Sequence, residues 1–262
     1  MSRLRTVAVT RYVTPLREGG SVPAIVEADD DGMYVLKFRG AGQGPKALIA
    51  ELLAGEIARA VDLPVPEIVL IQLDPDLART EPDPEIQDLI RASGGLNVAL
   101  DYLPGAVTFD PVTHQPAAAL ASAIVWFDAF VTNVDRTARN TNMLMWHRQL
   151  HLIDHGAALY FHHDWDDSYL ERSRDPFARI RDHVLLPFAG ALQEAHESMI
   201  ERLTPQLIRS LVALIPDELL ADDRAFATPR EFRSAYERYL LRRLEPPHDF
   251  FLEAQRAHAQ LV

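Results

Sequence analysis

Asp135-Arg-Thr-Ala-Arg-Asn140-Thr-Asn-Met-Leu144, followed shortly by Leu152-Ile-Asp154-His-Gly156, is the stretch that decides how this chain folds. A carboxylate stands five positions before an amide in a polar loop, and a second carboxylate lies just before a glycine. Ahead of the loop runs Ile124-Val-Trp-Phe-Asp-Ala-Phe-Val131, part of an apolar pattern that predicts a packed helix over Ala117–Val131. Behind it, Asn142–Trp146 and Leu150–Ile153 read as two short strands joined by His147-Arg-Gln149. A carboxylate and an amide at this spacing say little alone. Between a buried helix and a hairpin ending in Ile-Asp-x-Gly they become specific. Phosphoryl transfer from ATP uses this set of groups: one carboxylate orients the attacking hydroxyl and takes its proton, and an amide oxygen and a second carboxylate hold Mg²⁺ against the phosphates. The plain alternative is a polar surface loop whose Asp and Asn side chains cap turns.

Working upstream, Met33-Tyr-Val-Leu-Lys37-Phe-Arg39 places a lysine within an apolar strand, where burial without a partner is costly. In a phosphoryl-transfer site such a lysine contacts the phosphates and pairs with a carboxylate on the next helix. That helix is expected from Pro45 to about Val61, with Leu48, Ile49, Leu52, Leu53 and Ile57 at helical spacing and Leu63-Pro-Val-Pro66 ending it. Glu51 and Glu56 are both candidates for the lysine's partner. They lie ~140° apart around the helix, so only one can reach it. Thr6–Val13, Ala24–Glu27, Met33–Phe38 and Glu67–Leu73 read as strands. Glu18-Gly19-Gly20-Ser21 lies between the first two and is suited to covering phosphates with backbone amides. Asp74–Gly95, rich in Pro, Asp and Glu, reads as a solvated excursion with one short helix near Glu85–Ala92. Leu96–Leu103 returns to strand, and Pro104-Gly105 breaks it at the expected hinge, which makes Asp101 and Tyr102 nucleotide-contact candidates.

Downstream, helical patterns dominate from about Pro187, and Glu231–Glu245 is expected to turn Phe232, Tyr236, Tyr239 and Leu240 to the core. His147, His151 and His155 recur every fourth residue, but on a hairpin that spacing does not gather a metal site. His162-His163-Asp164 reads as a polar loop, with a place beside the cleft as its alternative. Arg136 and Arg139 are open between neutralising a phosphate and holding the loop.

Composition is that of a globular chain: 262 residues, 48% hydrophobic and 24% charged. With 26 Lys+Arg against 38 Asp+Glu the net charge is −12, which repels nucleic-acid and membrane phosphates, so neither is expected as a partner. The absence of cysteine excludes disulfides and thiolate chemistry. The N-terminus lacks the apolar core of a signal peptide, and no stretch has the ~18 apolar residues of a membrane span, so a cytoplasmic location is expected.

The order of strand lysine, helix glutamate, Leu-Pro-Val-Pro, hinge strand, apolar helix, Asp-x4-Asn, hairpin and Ile-Asp-x-Gly resembles the HipA-like kinases and, more distantly, the phosphatidylinositol kinases. The resemblance implies an α+β, two-lobed protein-kinase-like fold, with a β-rich N-lobe (1–103, an antiparallel sheet plus one main helix) and a mainly helical C-lobe (104–262). It implies that Asp135 is the catalytic base, that Asn140 (with Asn142 its rival) and Asp154 bind Mg²⁺, and that Lys37 grips ATP. Ala50-Glu51-Leu-Leu is similar to the family's helix start and favours Glu51 over Glu56. Val134 replaces the arginine that precedes the base in protein kinases, so control through that arginine is not expected. His155 replaces the phenylalanine of Asp-Phe-Gly. The expected activity is ATP/Mg²⁺-dependent transfer to a hydroxyl, most simply a protein Ser/Thr, with a cationic small molecule as the other acceptor that suits the acidic surface. A catalytically inactive nucleotide- or partner-binding module and an AMP-transferring enzyme are the alternatives.

Overall fold

The computed structural model describes residues 4–16, 22–221 and 223–261. Its first part is a ring of five strands: β1 (Arg5–Pro15), β2 (Ala24–Ala28), β3 (Met33–Lys37), β4 (Ile68–Leu73) and β5 (Gly95–Asp101), in the order β1-β2-β3-β5-β4. The expected antiparallel sheet is corrected at one seam. Arg5–Ala8 of β1 runs parallel to Val69–Gln72 of β4 and closes the ring into a barrel. Alternation along β3 sorts its side chains: Tyr34 and Leu36 point into the barrel core, while Val35 and Lys37 face the cleft outside. The period of two in Met33–Lys37 is therefore what brings an ammonium to the cleft.

The excursion is corrected too. Residues 75–80 form a 3₁₀ turn, and α2 (Pro84–Ala92) follows, with Asp83 capping it by accepting from the Glu85 N–H at 3.0 Å. Ala78, Ile86 and Ile90 are buried against the barrel's own residues, with Leu77 and Leu89 packed beside them, so the segment plugs the barrel. Its polar composition describes only its outer face. Ile90 is fully buried, and Ile90→Ala should lower the unfolding free energy by about 2–5 kcal/mol. Chemical denaturation would show it; a loss under about 0.5 kcal/mol, ordinary for a surface change, would mean the plug is dispensable.

The main helix, α1 (Pro45–Ala60), begins with proline at its first turn, where no amide donor is needed. Leu48, Ile49, Leu52, Leu53 and Ile57 join a core shared with the later helices rather than with the barrel interior. Its far end is tied down as well, because Arg202 donates to the Val61 carbonyl and to Asp62, and the Leu152 N–H donates to the Pro64 carbonyl at 2.7 Å.

After Pro104-Gly105, β6 (Val107–Thr108), β7 (Met143–Trp146) and β8 (Gln149–Leu152) make a small antiparallel sheet. Between β6 and β7 lies α3 (Ala118–Phe130), with Ile124 through Phe130 all buried, as an apolar helix at the centre of a core must be. The rest is helical: α4 (Leu192–Arg202), α5 (Pro205–Val212), α6 (Asp217–Leu220), α7 (Pro229–Arg243) and α8 (Asp249–Ala259). Thr204-Pro205 and Thr228-Pro229 start helices, each threonine accepting an N–H of the first turn at 3.2 Å. The four core residues expected on the last arginine-rich helix, Phe232, Tyr236, Tyr239 and Leu240, are all buried. Among the described residues no helix is long and apolar enough to cross a membrane.

Candidate active site

Asp128, on the last turn of α3, organises the loop that follows. It is fully buried and accepts from Asn133 Nδ2 at 2.9 Å, Arg136 Nε at 2.6 Å and His183 Nε2 at 2.9 Å. The ring of His183 has one defined tautomer: Nδ1 accepts from the Leu185 N–H at 3.0 Å, so the proton sits on Nε2 and is donated to Asp128. Burial opposes the Asp128 charge, but Arg136 and then His183 outweigh it and hold the carboxyl well below the usual range. Arg136 extends the network by donating to the carbonyls of Asn142 and, at 3.4 Å, Ile153. One guanidinium thus fixes both the start of the hairpin and the residue before Asp154.

On this foundation stands Asp135. Its N–H donates to Asn133 Oδ1 at 3.2 Å, and its Oδ2 accepts from Asn140 Nδ2 at 2.7 Å and Asn142 Nδ2 at 3.2 Å. Asn142 also donates to the Asp135 carbonyl at 3.2 Å. Both amides therefore reach the same carboxylate; Asn140 is exposed and Asn142 buried.

Across the cleft, Lys37 Nζ lies 2.7 Å from Asp154 Oδ1 and 3.6 Å from Glu51 Oε2. Burial works against the ammonium, but the Glu51 and Asp154 carboxylates outweigh it and raise its pKa above that of ordinary lysine. Glu51 is almost wholly buried, and its carboxylate accepts from the His155 N–H at 3.1 Å to each oxygen. Glu56 instead pairs with Arg59 at 3.2 Å, so Glu51 is the carboxylate that meets Lys37. Asp154 has a positive φ of 55°, a strained conformation for a non-glycine residue, while its side chain stays 40% exposed to the cleft.

Lys37, Asp154, Asn140 and Asn142 line a cleft of about 1480 Å³, which also takes in Asp101 and Tyr102. The Asp101 and Tyr102 N–H groups are already committed, to the Glu67 carbonyl at 2.8 Å and the Met33 carbonyl at 3.0 Å. Glu81 and Pro82 of the barrel plug reach the same cleft, as do Thr14 and Pro15 of β1. Gly19, Gly20 and Ser21 lie outside the described residues.

Barrel, central apolar helix and facing carboxylates agree with the sequence comparison: a family model for HipA-like kinases matches residues 9–253. The chain belongs to the HipA-like kinase family. No curated protein matches this HipA-like kinase in sequence. Among solved structures it is similar to the Helicobacter pylori proinflammatory kinase CtkA, with 13% identity, a TM-score of 0.61, and 99% of this chain and 100% of that one covered. A Golgi casein kinase with Mn and ADP bound gives 12% identity and a TM-score of 0.50, over 98% of this chain and 74% of that one. At such identities the likeness is one of fold, and the fold is kinase-like.

The structure places several residues that the sequence left open. Arg136 is buried and holds the loop, whereas Arg139 is exposed on the cleft, with no ion-pair partner among the described residues. His162 neither borders the cleft nor sits in a polar loop. It is fully buried, with Nδ1 2.9 Å from the Tyr236 hydroxyl, and burial pushes its pKa well down. His147 and His151 flank the Trp146 ring, while His155 packs edge-on against Phe127. The role of Asp128 escaped the sequence because its partner His183 lies 55 residues away. Its one signal was a carboxylate set within an apolar helix, where burial demands partners.

Proposed function

We propose that this HipA-like kinase is an ATP/Mg²⁺-dependent phosphotransferase acting on a hydroxyl, with a protein Ser/Thr as acceptor, and that residues 1–103 and 104–262 act as its two lobes. The observation that carries the reading is the Lys37–Asp154 pair at 2.7 Å, lining the same cleft as the Asn140 amide that bonds Asp135. The donor set fits a hard divalent cation: Asp154 and Asn140 offer oxygens, with Asn142 adjacent, and the chain has no cysteine thiolate. A bound Mg²⁺ would neutralise phosphate charge. Mn and ADP in the similar Golgi casein kinase support the same use of nucleotide and metal here.

The chain's own groups divide the remaining work. Lys37, poised beside Asp154, turns its ammonium to the phosphates. Asp135 orients the acceptor hydroxyl and takes its proton. Arg139, exposed on the cleft, is free to meet phosphate or acceptor charge. With the Asp101 and Tyr102 N–H groups spent on the barrel, these residues offer the nucleotide base their carbonyls, and the cleft-lining Leu103 supplies the N–H.

ATP labelled at either the α- or the γ-phosphate, with Mg²⁺ and a mixed protein acceptor, tests the proposal. Label passed to Ser/Thr from the γ-position, and lost in Asp154→Asn, is the expected outcome. Label from the α-position means AMP transfer. Tight nucleotide binding without any transfer means a non-catalytic module. Failure to bind ATP-Mg²⁺ overturns the reading.

A further inference from the structure

His155 and Gly156 lie along one face of α1. Ala47, Glu51 and Gly55 recur at intervals of four, so they form a single stripe on that helix. A Cβ placed on Gly156 would stand 3.6 Å from the Ala47 carbonyl oxygen, so the backbone rests on the first turn. At the other end of the stripe, Gly55 is bare. A Cβ there would come within 2.4 Å of Ile68 Cδ1, which would have to shift, and would stand in ordinary contact with His155 Nδ1 at 3.7 Å. Between the two small residues stands Glu51, which takes the His155 N–H at both oxygens and lies 3.3 Å from His155 Nδ1. The imidazole is fully buried, with Phe127 edge-on beside it, and its Nε2 has no hydrogen-bond partner among the described residues. A buried ring with one nitrogen left bare is held for what the other nitrogen does.

We infer that His155 is a positioning residue. With its N–H and its ring it fastens Glu51, and so α1, to the segment carrying Asp154, leaving Lys37 in the hands of Asp154 until nucleotide arrives. The distances fit this division: Lys37 is 0.9 Å nearer Asp154 (2.7 Å) than Glu51 (3.6 Å). Glu51 here holds the metal-site backbone first and the lysine second. The inference rests on the proposed phosphotransferase reading for its consequence in turnover, but not for its geometry.

Two substitutions separate hydrogen bonding from packing. His155→Phe keeps a ring in the pocket and deletes the donor; His155→Asn places an amide N–H near the Nδ1 position and deletes most of the ring. With the ring donor gone, Glu51 keeps only the backbone N–H of residue 155, leans more on Lys37 and draws it from Asp154. His155→Phe should therefore lower kcat by about tenfold, as expected for the loss of one charge-assisted hydrogen bond, and raise the Mg²⁺ requirement several-fold. The KM for ATP should change by less than about threefold, a split that general loosening of the fold does not give. Amide hydrogen exchange supplies a readout without turnover: residues 47–55 and 153–156 should lose protection together in His155→Phe and keep it in His155→Asn. Wild-type exchange in His155→Phe, or greater loss in His155→Asn, overturns the inference. A wild-type protein that is protected in both segments but transfers no label instead overturns the phosphotransferase reading alone.

Discussion

Asp128→Ala should cost the chain about 3–5 kcal/mol of stability and leave no measurable transfer activity, although Asp128 lies behind the cleft rather than in it. Removing the carboxylate strands the buried Arg136 guanidinium without a counter-charge and deprives Asn133 and His183 of their acceptor. Arg136 in turn holds the Asn142 and Ile153 carbonyls, so the loop bearing Asp135 and the approach to Asp154 loosen together. Urea denaturation at pH 7.5 reads the first effect; a midpoint equal to wild type would show that the network carries no stability. The same network sets the response to acid. Asp128 and His183 both have pKa values below those of the unfolded chain, Asp128 through Arg136 and His183 through burial, so each binds fewer protons when folded. The His183 contribution is complete above its unfolded pKa of about 6.5 and is lost as the pH falls below it; that of Asp128 persists until the pH drops past about 3.9. Buried His162 acts in the same direction as His183. Stability should therefore fall between pH 7 and 5, before most carboxylates titrate.

Asp135→Ala is expected to reduce transfer by about 10²- to 10⁴-fold, the usual worth of a positioned general base, while ATP-Mg²⁺ affinity stays within a few-fold of wild type. Among the described residues, Asp135 makes its side-chain bonds to Asn140 and Asn142, and neither Lys37 nor Asp154 leans on it. Steady-state kinetics with titration calorimetry separates the two quantities. An equal loss in binding and turnover would mean that Asp135 shapes the nucleotide site instead of acting on the acceptor.

Much of this was legible in the chain because local chemistry fixed it. Proline punctuated the helices, alternation in Met33–Lys37 turned the lysine outward, and loop and hairpin delivered Asn140 (the partner of Asp135) and Asp154 to one cleft. Long-range pairing was not legible. Nothing local in Arg5–Ala8 specifies a parallel neighbour more than sixty residues later, which is how a sheet became a barrel. The plug carried a readable signal: Ile86, Leu89 and Ile90 form an apolar stripe within a polar stretch, which composition alone had masked. Arg136 and Arg139 looked alike because burial, which separates them, belongs to the packed molecule.

Closure of the barrel also bears on how the molecule meets other chains. An open sheet ends in strands whose free amides and carbonyls invite lateral pairing with a second copy or an extended peptide. With β4 joined to Arg5–Ala8 of β1, the five-stranded unit is closed along that seam. The small sheet, by contrast, ends in two rims, at β6 and β8. Because Val107 and Thr108 of β6 line the cleft, a place where backbone can be read by backbone opens beside the candidate chemistry.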